Sequence, residues 1–132
     1  MDAVHVAVGV IFNEARQILI TRRSPDSHQG GLWEFPGGKV ERGETLEQTL
    51  SRELKEELGI SVDRYSPLLQ IHHDYGDRKV LLDVCVVWEF SGEARGVEGQ
   101  AMAWVALASL GDYKFPVANE PIIEAVTALL AT

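Results

Sequence analysis

Residues 37–60 read "GGKVERGETLEQTLSRELKEELGI", a glycine pair followed by six glutamates spread through a segment with helical periodicity. Thr45 and Gln48 make a T-x-x-Q capping box, leucines recur at 46, 50, 54 and 58, and Gly59 stands where a helix C′ residue belongs. The spacing predicts a helix that starts after Thr45 and stops at Gly59. At roughly 100° per residue, Glu53, Glu56 and Glu57 fall within about a 100° arc adjoining the leucine stripe, whereas Gln48, Ser51 and Lys55 point furthest from it. The acids therefore border the core, where desolvation and mutual repulsion are both unfavourable. Like charges three or four residues apart cost roughly a few tenths of a kcal/mol each even when solvated. A cation belongs among them, and oxygen ligands at this spacing suit a hard divalent ion, Mg²⁺ or Mn²⁺. The plainer alternative is a solvated acidic face, the common fate of a glutamate-rich helix.

Working outward, "VHVAVGVIF" and "QILITRR" are β-branched runs separated by the polar "NEAR", which predicts an antiparallel hairpin. "LWEFPGG" is a short extended piece stopped by Pro36 and two glycines. "PLLQIHHDY" and "KVLLDVCVVWEF" flank "GDR" and predict a second hairpin, and "MAWVAL" a further strand. In "NEPIIEAVTALLA", Asn119 or Glu120 is placed as N-cap, Pro121 lies at or near N1, and apolar residues at 122, 123, 126, 129 and 130 predict a closing helix. The expected fold class is α+β, with a mixed, mainly antiparallel sheet between two principal helices.

The 132 residues, 45% of them hydrophobic, suit one domain spanning 1–132. A net charge of −8 argues against binding polynucleotides or anionic membranes, and a small polyanion would need a local cation. The single cysteine, Cys85, sits in an apolar run and is expected to be a buried structural thiol, which excludes a disulfide framework. "MDAVHVAVGVIF" has no basic leader pattern and no apolar run approaches the ~18 residues of a membrane span, so the expected location is the cytoplasm.

One pattern overturns the reading of a merely solvated acidic face. Gly38, Glu44, Arg52, Glu53, Leu54, Glu56, Glu57, Gly59 and Ile60 match, without exception, the nine specified positions of the Nudix box. The chain thus resembles the Nudix hydrolases, whose α/β/α sandwich agrees with the elements above. "AVGVIF", "ITRR", "LWEFPGGKVE", "VEGQ" and "FPVANEP" carry the likeness across the chain to the MutT-like subgroup. The resemblance implies hydrolysis of 8-oxo-dGTP to 8-oxo-dGMP and pyrophosphate, which cleanses the nucleotide pool and limits mutation during DNA replication and repair.

The same resemblance implies a metal site made of Glu53, Glu56, Glu57, Glu98 and the carbonyl of Gly37 or Gly38, filled by Mg²⁺ with Mn²⁺ as substitute. Arg52 would orient carboxylates. The nucleotide would meet Arg23, His28, the Glu34–Phe35–Pro36–Gly37 segment, Asp77 or Arg78, and Asn119. Hydrolysis needs a proton acceptor for the attacking water, for which Glu53 ranks first, Glu98 second and Glu44 third.

Asn119 has two readings, cap of the last helix and reader of the base. Oxidation at C8 of guanine turns N7 from an acceptor into a donor, and an amide can supply the matching acceptor. Phe35 and Tyr75 are candidates to pack on the purine, though either, like Trp33, could be core; His72 and His73 lack partners at metal-ligand spacing. The expected partner is a small nucleotide and the expected state a monomer. Two further functions stay open, a Nudix hydrolase for another nucleotide or X-linked diphosphate, and a non-catalytic nucleotide-sensing module. The complete acid set speaks against the second.

Overall fold

The computed structural model describes residues 4–24 and 30–131. Among these described residues, seven strands and two α-helices follow one another as β1 (Val4–Ile11), β2 (Ile18–Arg22), β3 (Trp33–Glu34), β4 (Gly37–Lys39), α1 (Leu46–Leu58), β5 (Ser61–Asp74), β6 (Lys79–Ser91), β7 (Met102–Val105) and α2 (Glu120–Leu130). The class is α+β as expected, but the strands are divided between two sheets, one ordered β4-β1-β6-β5 and the other β3-β2-β7. All pairings are antiparallel except β1 with β6, which run parallel from Val4 opposite Val80 to Ile11 opposite Val87.

Strand alternation explains how two helices share this core. On β1, β2 and β6, Val8, Val10, Ile18, Ile20, Val84 and Val86 face one way and pack with Ile122 and Val126 of α2. Their neighbours Ile11, Leu19, Cys85 and Val87 face the other way and pack with Leu50, Leu54 and Leu58 of α1. These strands are covered on both faces and so read as unbroken apolar runs. Cys85 is fully buried, as its surroundings in the sequence suggest, and burial pushes its thiol up to about 11.

Helix α1 matches its sequence signals at both ends. The Thr45 hydroxyl accepts from the Gln48 N–H, the Gln48 side chain accepts from the Thr45 N–H, and Gly59 closes the helix at φ 72°, a conformation that disfavours a side chain. The hairpin of β5 and β6 also forms as expected, with bulges on β5 near Val62 and Pro67; β5 is an edge strand, where proline is tolerated.

The first expected hairpin does not form. β1 and β2 lie in different sheets, and their only ladder pairing among the described residues is an isolated bridge of Phe12, just past β1, with Ile18. The turn between them is closed by paired Asn13 and Gln17 side chains and by Arg16 at φ 61°. Each strand is apolar on both faces and has two better neighbours elsewhere, which no local turn signal reveals. Asn119 stands at the N-cap position of α2 and Pro121 in its first turn, as expected, but Asn119 does not cap with its side chain. A 3-10 turn over Val117–Asn119 leads into α2, so Asn119 is already helical, at φ −90° and ψ −9°, its N–H bonds to the Pro116 carbonyl, and its side chain makes no cap hydrogen bond.

Candidate active site

The acids of α1 meet the backbone of β4. Strand β4 is held against β1, and the Gly37 N–H donates to Glu57 Oε2 at 3.3 Å. Backbone leaves no room for a side chain at Gly37, and one at Gly38 would have to displace Glu53. A Cβ on Gly37 would lie 1.9 Å from the Ala7 carbonyl oxygen, and one on Gly38 would lie 2.2 Å from the Glu53 carboxyl carbon. The glycine pair thus lets the Glu53 carboxylate rest directly on the main chain.

Arg52 organises the helix face. It donates Nε to Glu44 Oε2 at 2.8 Å and Nη2 to Glu44 Oε1 at 2.9 Å, a two-pronged pairing, and also Nη1 to Glu53 Oε1 at 2.9 Å and Nη2 to the Lys39 carbonyl at 3.2 Å. Glu44 further accepts from the Thr49 hydroxyl and the Glu41 N–H. The bonds from Arg52, with those from Glu41 and Thr49, hold the Glu44 carboxyl down to about 2, and the same pairing raises the Arg52 guanidinium. Glu44 is accordingly a fixed anion that clamps Arg52.

The remaining acids behave in the opposite way. Burial, then the charges of Glu53, Glu34 and Glu98, push Glu57 up to about 8. Glu53 is raised by burial, against the pull of Arg52 and with smaller contributions from Glu56 and Glu98. Glu56 lies at the margin, its side chain 56% exposed and 3.4 Å from Arg52. Glu98 comes from the far side on an exposed turn between β6 and β7.

These carboxylates do not form a closed ligand cage. Among the described residues no three acidic, histidine or cysteine side chains converge as metal ligands, since Glu53 is turned to Arg52 and Glu57 to Gly37. The donor chemistry nevertheless fits a hard divalent cation. All donors are oxygen, and the uncompensated repulsion that raises Glu57 is what such an ion relieves.

Two clefts meet here. One, of about 620 Å³, is lined by Arg22, Arg23, Glu34, Glu57, Glu98 and Gln100 among others. The second, of about 270 Å³, is lined by Phe35, Lys39, Tyr75, Arg78 and Asn119 among others. Arg23 and Glu34 border both and are joined by a 2.7 Å ion pair. Burial raises Glu34 even against Arg23. The first cleft carries both acids and arginines, and the second is a smaller, mixed pocket.

The expected nucleotide contacts are only partly gathered. Arg78 lines the second cleft, whereas Asp77 is exposed in the hairpin turn and is not among the lining residues. Pro36 is buried and uses its carbonyl to accept from the Gly9 N–H. Phe35 stacks on Phe115 at 5.1 Å and is 4% exposed, and Trp33 packs edge-on to Tyr113, so both belong largely to the core. His28 lies outside the described residues. Sequence reasoning missed Thr49, Lys39 and Gln100. Only "VEGQ" held a hint of the last.

The profile of the NUDIX domain matches residues 7–125. The chain belongs to the NUDIX family. An 8-oxo-dGTP diphosphatase of Escherichia coli K12 is 44% identical to this NUDIX chain over 93% of it and 95% of the relative. A CTP pyrophosphohydrolase of the same organism is 35% identical over 99% of the chain and 96% of the relative. Among solved NUDIX structures, MutT from work on Aliivibrio salmonicida and Vibrio cholerae superposes with a TM-score of 0.84 at 43% identity, covering 97% of this chain and 99% of that one.

Proposed function

We propose that the protein is a MutT-like, Mg²⁺-dependent diphosphatase that hydrolyses 8-oxo-dGTP to 8-oxo-dGMP and pyrophosphate. The observation that carries this reading is the join of the two clefts at Arg23 and Glu34, with acids and arginines on one side and Asn119 on the other. That is the layout a polyphosphate attached to a purine requires. The 44% identity to a named 8-oxo-dGTP diphosphatase points the same way.

The divalent ion, held by Glu53, Glu56, Glu57, Glu98 and a Gly37 or Gly38 carbonyl, would supply charge neutralisation on the phosphates and acidify a water. The protein's own groups do the rest. Glu53, raised by burial and oriented by Arg52, accepts the proton of the attacking water, with Glu98 as the alternative acceptor. Glu44 is too weak a base and too firmly tied to Arg52 for that task, so we place it as a positioning group. Arg23 meets phosphate oxygens, and the Asn119 amide oxygen accepts the N7–H of the oxidised purine.

A second reading has its own support. The CTP pyrophosphohydrolase relative spans nearly the whole chain, so a pyrimidine triphosphate is the competing substrate. Steady-state rates for 8-oxo-dGTP, dGTP and CTP at low micromolar concentration with Mg²⁺ separate the readings. The proposal expects kcat/KM for 8-oxo-dGTP to exceed both others by about tenfold or more. Preference for CTP would favour the second reading, and no turnover of any triphosphate would make the chain a binding module.

A further inference from the structure

The turn that carries Glu98 is fastened to the last turn of α1 by a small set of hydrogen bonds. The carbonyl of Leu58 accepts from the Arg95 N–H at 3.0 Å, and the carbonyl of Glu57 accepts from the Val97 N–H at 3.0 Å. These carbonyls lie in the last turn of α1, where helix oxygens lack partners within the helix and are free to hold a neighbouring loop. One side chain joins the two sides. The Gln100 amide donates Nε2 to the Glu57 carbonyl at 2.9 Å, while its Oε1 accepts from the Glu98 N–H at 2.9 Å. A single planar amide therefore fixes the distance between the main chains of two acids that border the same cleft, and Gln100 borders that cleft too. The turn is narrow around it. The Gly99 N–H bonds to the Gly96 carbonyl at 3.0 Å, and a Cβ on Gly96 would lie 2.2 Å from the Gln100 carbonyl oxygen.

We propose that Gln100 is a positioning residue for the reaction, its side-chain amide bridging the Glu57 carbonyl and the Glu98 N–H so that the Glu98 carboxylate is held beside Glu57. The amide must donate to one residue and accept from the other, a pair of roles that glutamine fills and that methionine, of similar length, cannot. This inference rests on the reading that Glu98 takes part in metal binding or proton transfer. Groups that orient ligating carboxylates affect metal affinity or activity by roughly 10- to 100-fold when removed.

The test uses the full chain, with Gln100→Met to keep bulk and Gln100→Ala as a second variant. Expected are a rise of about tenfold in the Mn²⁺ dissociation constant, read by electron paramagnetic resonance without nucleotide, and a comparable fall in kcat with the thermal midpoint nearly unchanged. Amide exchange at Glu98 in the metal-free wild-type protein should be slow for so exposed a turn, and fast in either variant. In a Glu98→Gln background, Gln100→Met should lower kcat no further, because the two act as one unit. A lower thermal midpoint with Mn²⁺ affinity and kcat intact would leave Gln100 as scaffold only and overturn the proposal. So would independent, multiplying losses in the double variant. Rapid exchange at Glu98 in the wild type would overturn it without any variant, should both fold poorly. If Glu98→Gln alone leaves kcat and Mn²⁺ affinity unchanged, the role given to Glu98 fails, and the proposal with it.

Discussion

Single residues divide the acids of this site into two groups by what touches them. Glu44 has spent its lone pairs on Arg52, Thr49 and Glu41, whereas the Glu53 carboxylate occupies the space beside Gly38 and is raised by burial. Replacing Glu53 with glutamine preserves size and removes the proton acceptor, so kcat should fall by about 10²–10⁴ while nucleotide binding persists. A loss under tenfold would move the role to Glu98. Asn119 gives a cleaner case than local sequence suggests, because its side chain caps nothing. Asn119→Ala should therefore leave the thermal midpoint nearly unchanged, instead of costing the ~1 kcal/mol of a lost cap. Its effect should appear in the ratio of kcat/KM for 8-oxo-dGTP over dGTP, shrinking it at least about tenfold. An unchanged ratio would shift reading of the base towards Tyr75 and Arg78. Glu53, Glu56 and Glu57 were legible in the sequence because helical spacing gathers them and the Nudix box gives them a role, and Glu98 only through the resemblance. Gln100 was not, since its bonds depend on loop geometry and reach a carbonyl 43 residues away.

Elements show where local signals suffice. Everything that makes α1 a helix lies within its own residues or one step beyond, and both ends formed where Thr45 and Gly59 placed them. β1 and β2 misled because pairing depends on partners elsewhere in the chain, and two apolar runs with a polar link read as a hairpin whatever their true neighbours. At the meeting of α1 and β4, Gly38→Ala should push a methyl into the Glu53 carboxylate and reduce kcat far more than it reduces stability, as activity and thermal melts on one preparation would show. The same contact gives a pH dependence. Glu57 has an ordinary value of 4.5 and is pushed up to about 8 in the folded, metal-free protein by burial and by Glu53, Glu34 and Glu98. Between these values the folded state holds a proton that the unfolded chain has released, so this group's contribution to stability declines as pH rises from about 4.5 to about 8. Glu44 works in the other direction, losing its stabilising pairing only as pH falls from about 4.5 towards 2. In the proposed metal site a divalent ion would replace the proton on Glu57. The rise in thermal midpoint on adding Mg²⁺ should accordingly grow between pH 5 and pH 8, and a rise independent of pH would remove Glu57 from the ligand set.

For the whole molecule, charge and cleft have to be considered together. A chain of net charge −8 repels a triphosphate over most of its surface, and Arg22 and Arg23 in the first cleft supply local positive charge. On the proposed reading, with the phosphates in that cleft and the base in the second, water is expected to attack the β-phosphorus. Hydrolysis in ¹⁸O-water should then place the label in pyrophosphate, and label in the monophosphate would mean attack at the α-phosphorus and a shifted polyphosphate. Composition and strand patterns sufficed for the α+β class and for helices on both faces. The division into two sheets was not legible, because runs such as Val6–Ile11 and Leu81–Val87 look alike whether their neighbour is the next strand or a distant one.

The parallel union of β1 with β6 also bears on how the protein is made. β1 lies between β4 and β6, so on a growing chain it waits for residues 80–87 before its second edge is covered. Until then α1 has been synthesised with its acids but lacks Cys85 and Val87, part of the apolar layer under its leucines. Non-local pairing of this kind delays folding. A ribosome-tethered chain ending before β6 should be readily cleaved by protease within α1, and one extended well past Ser91 should resist. The catalytic face is thus laid down early in synthesis and takes shape late.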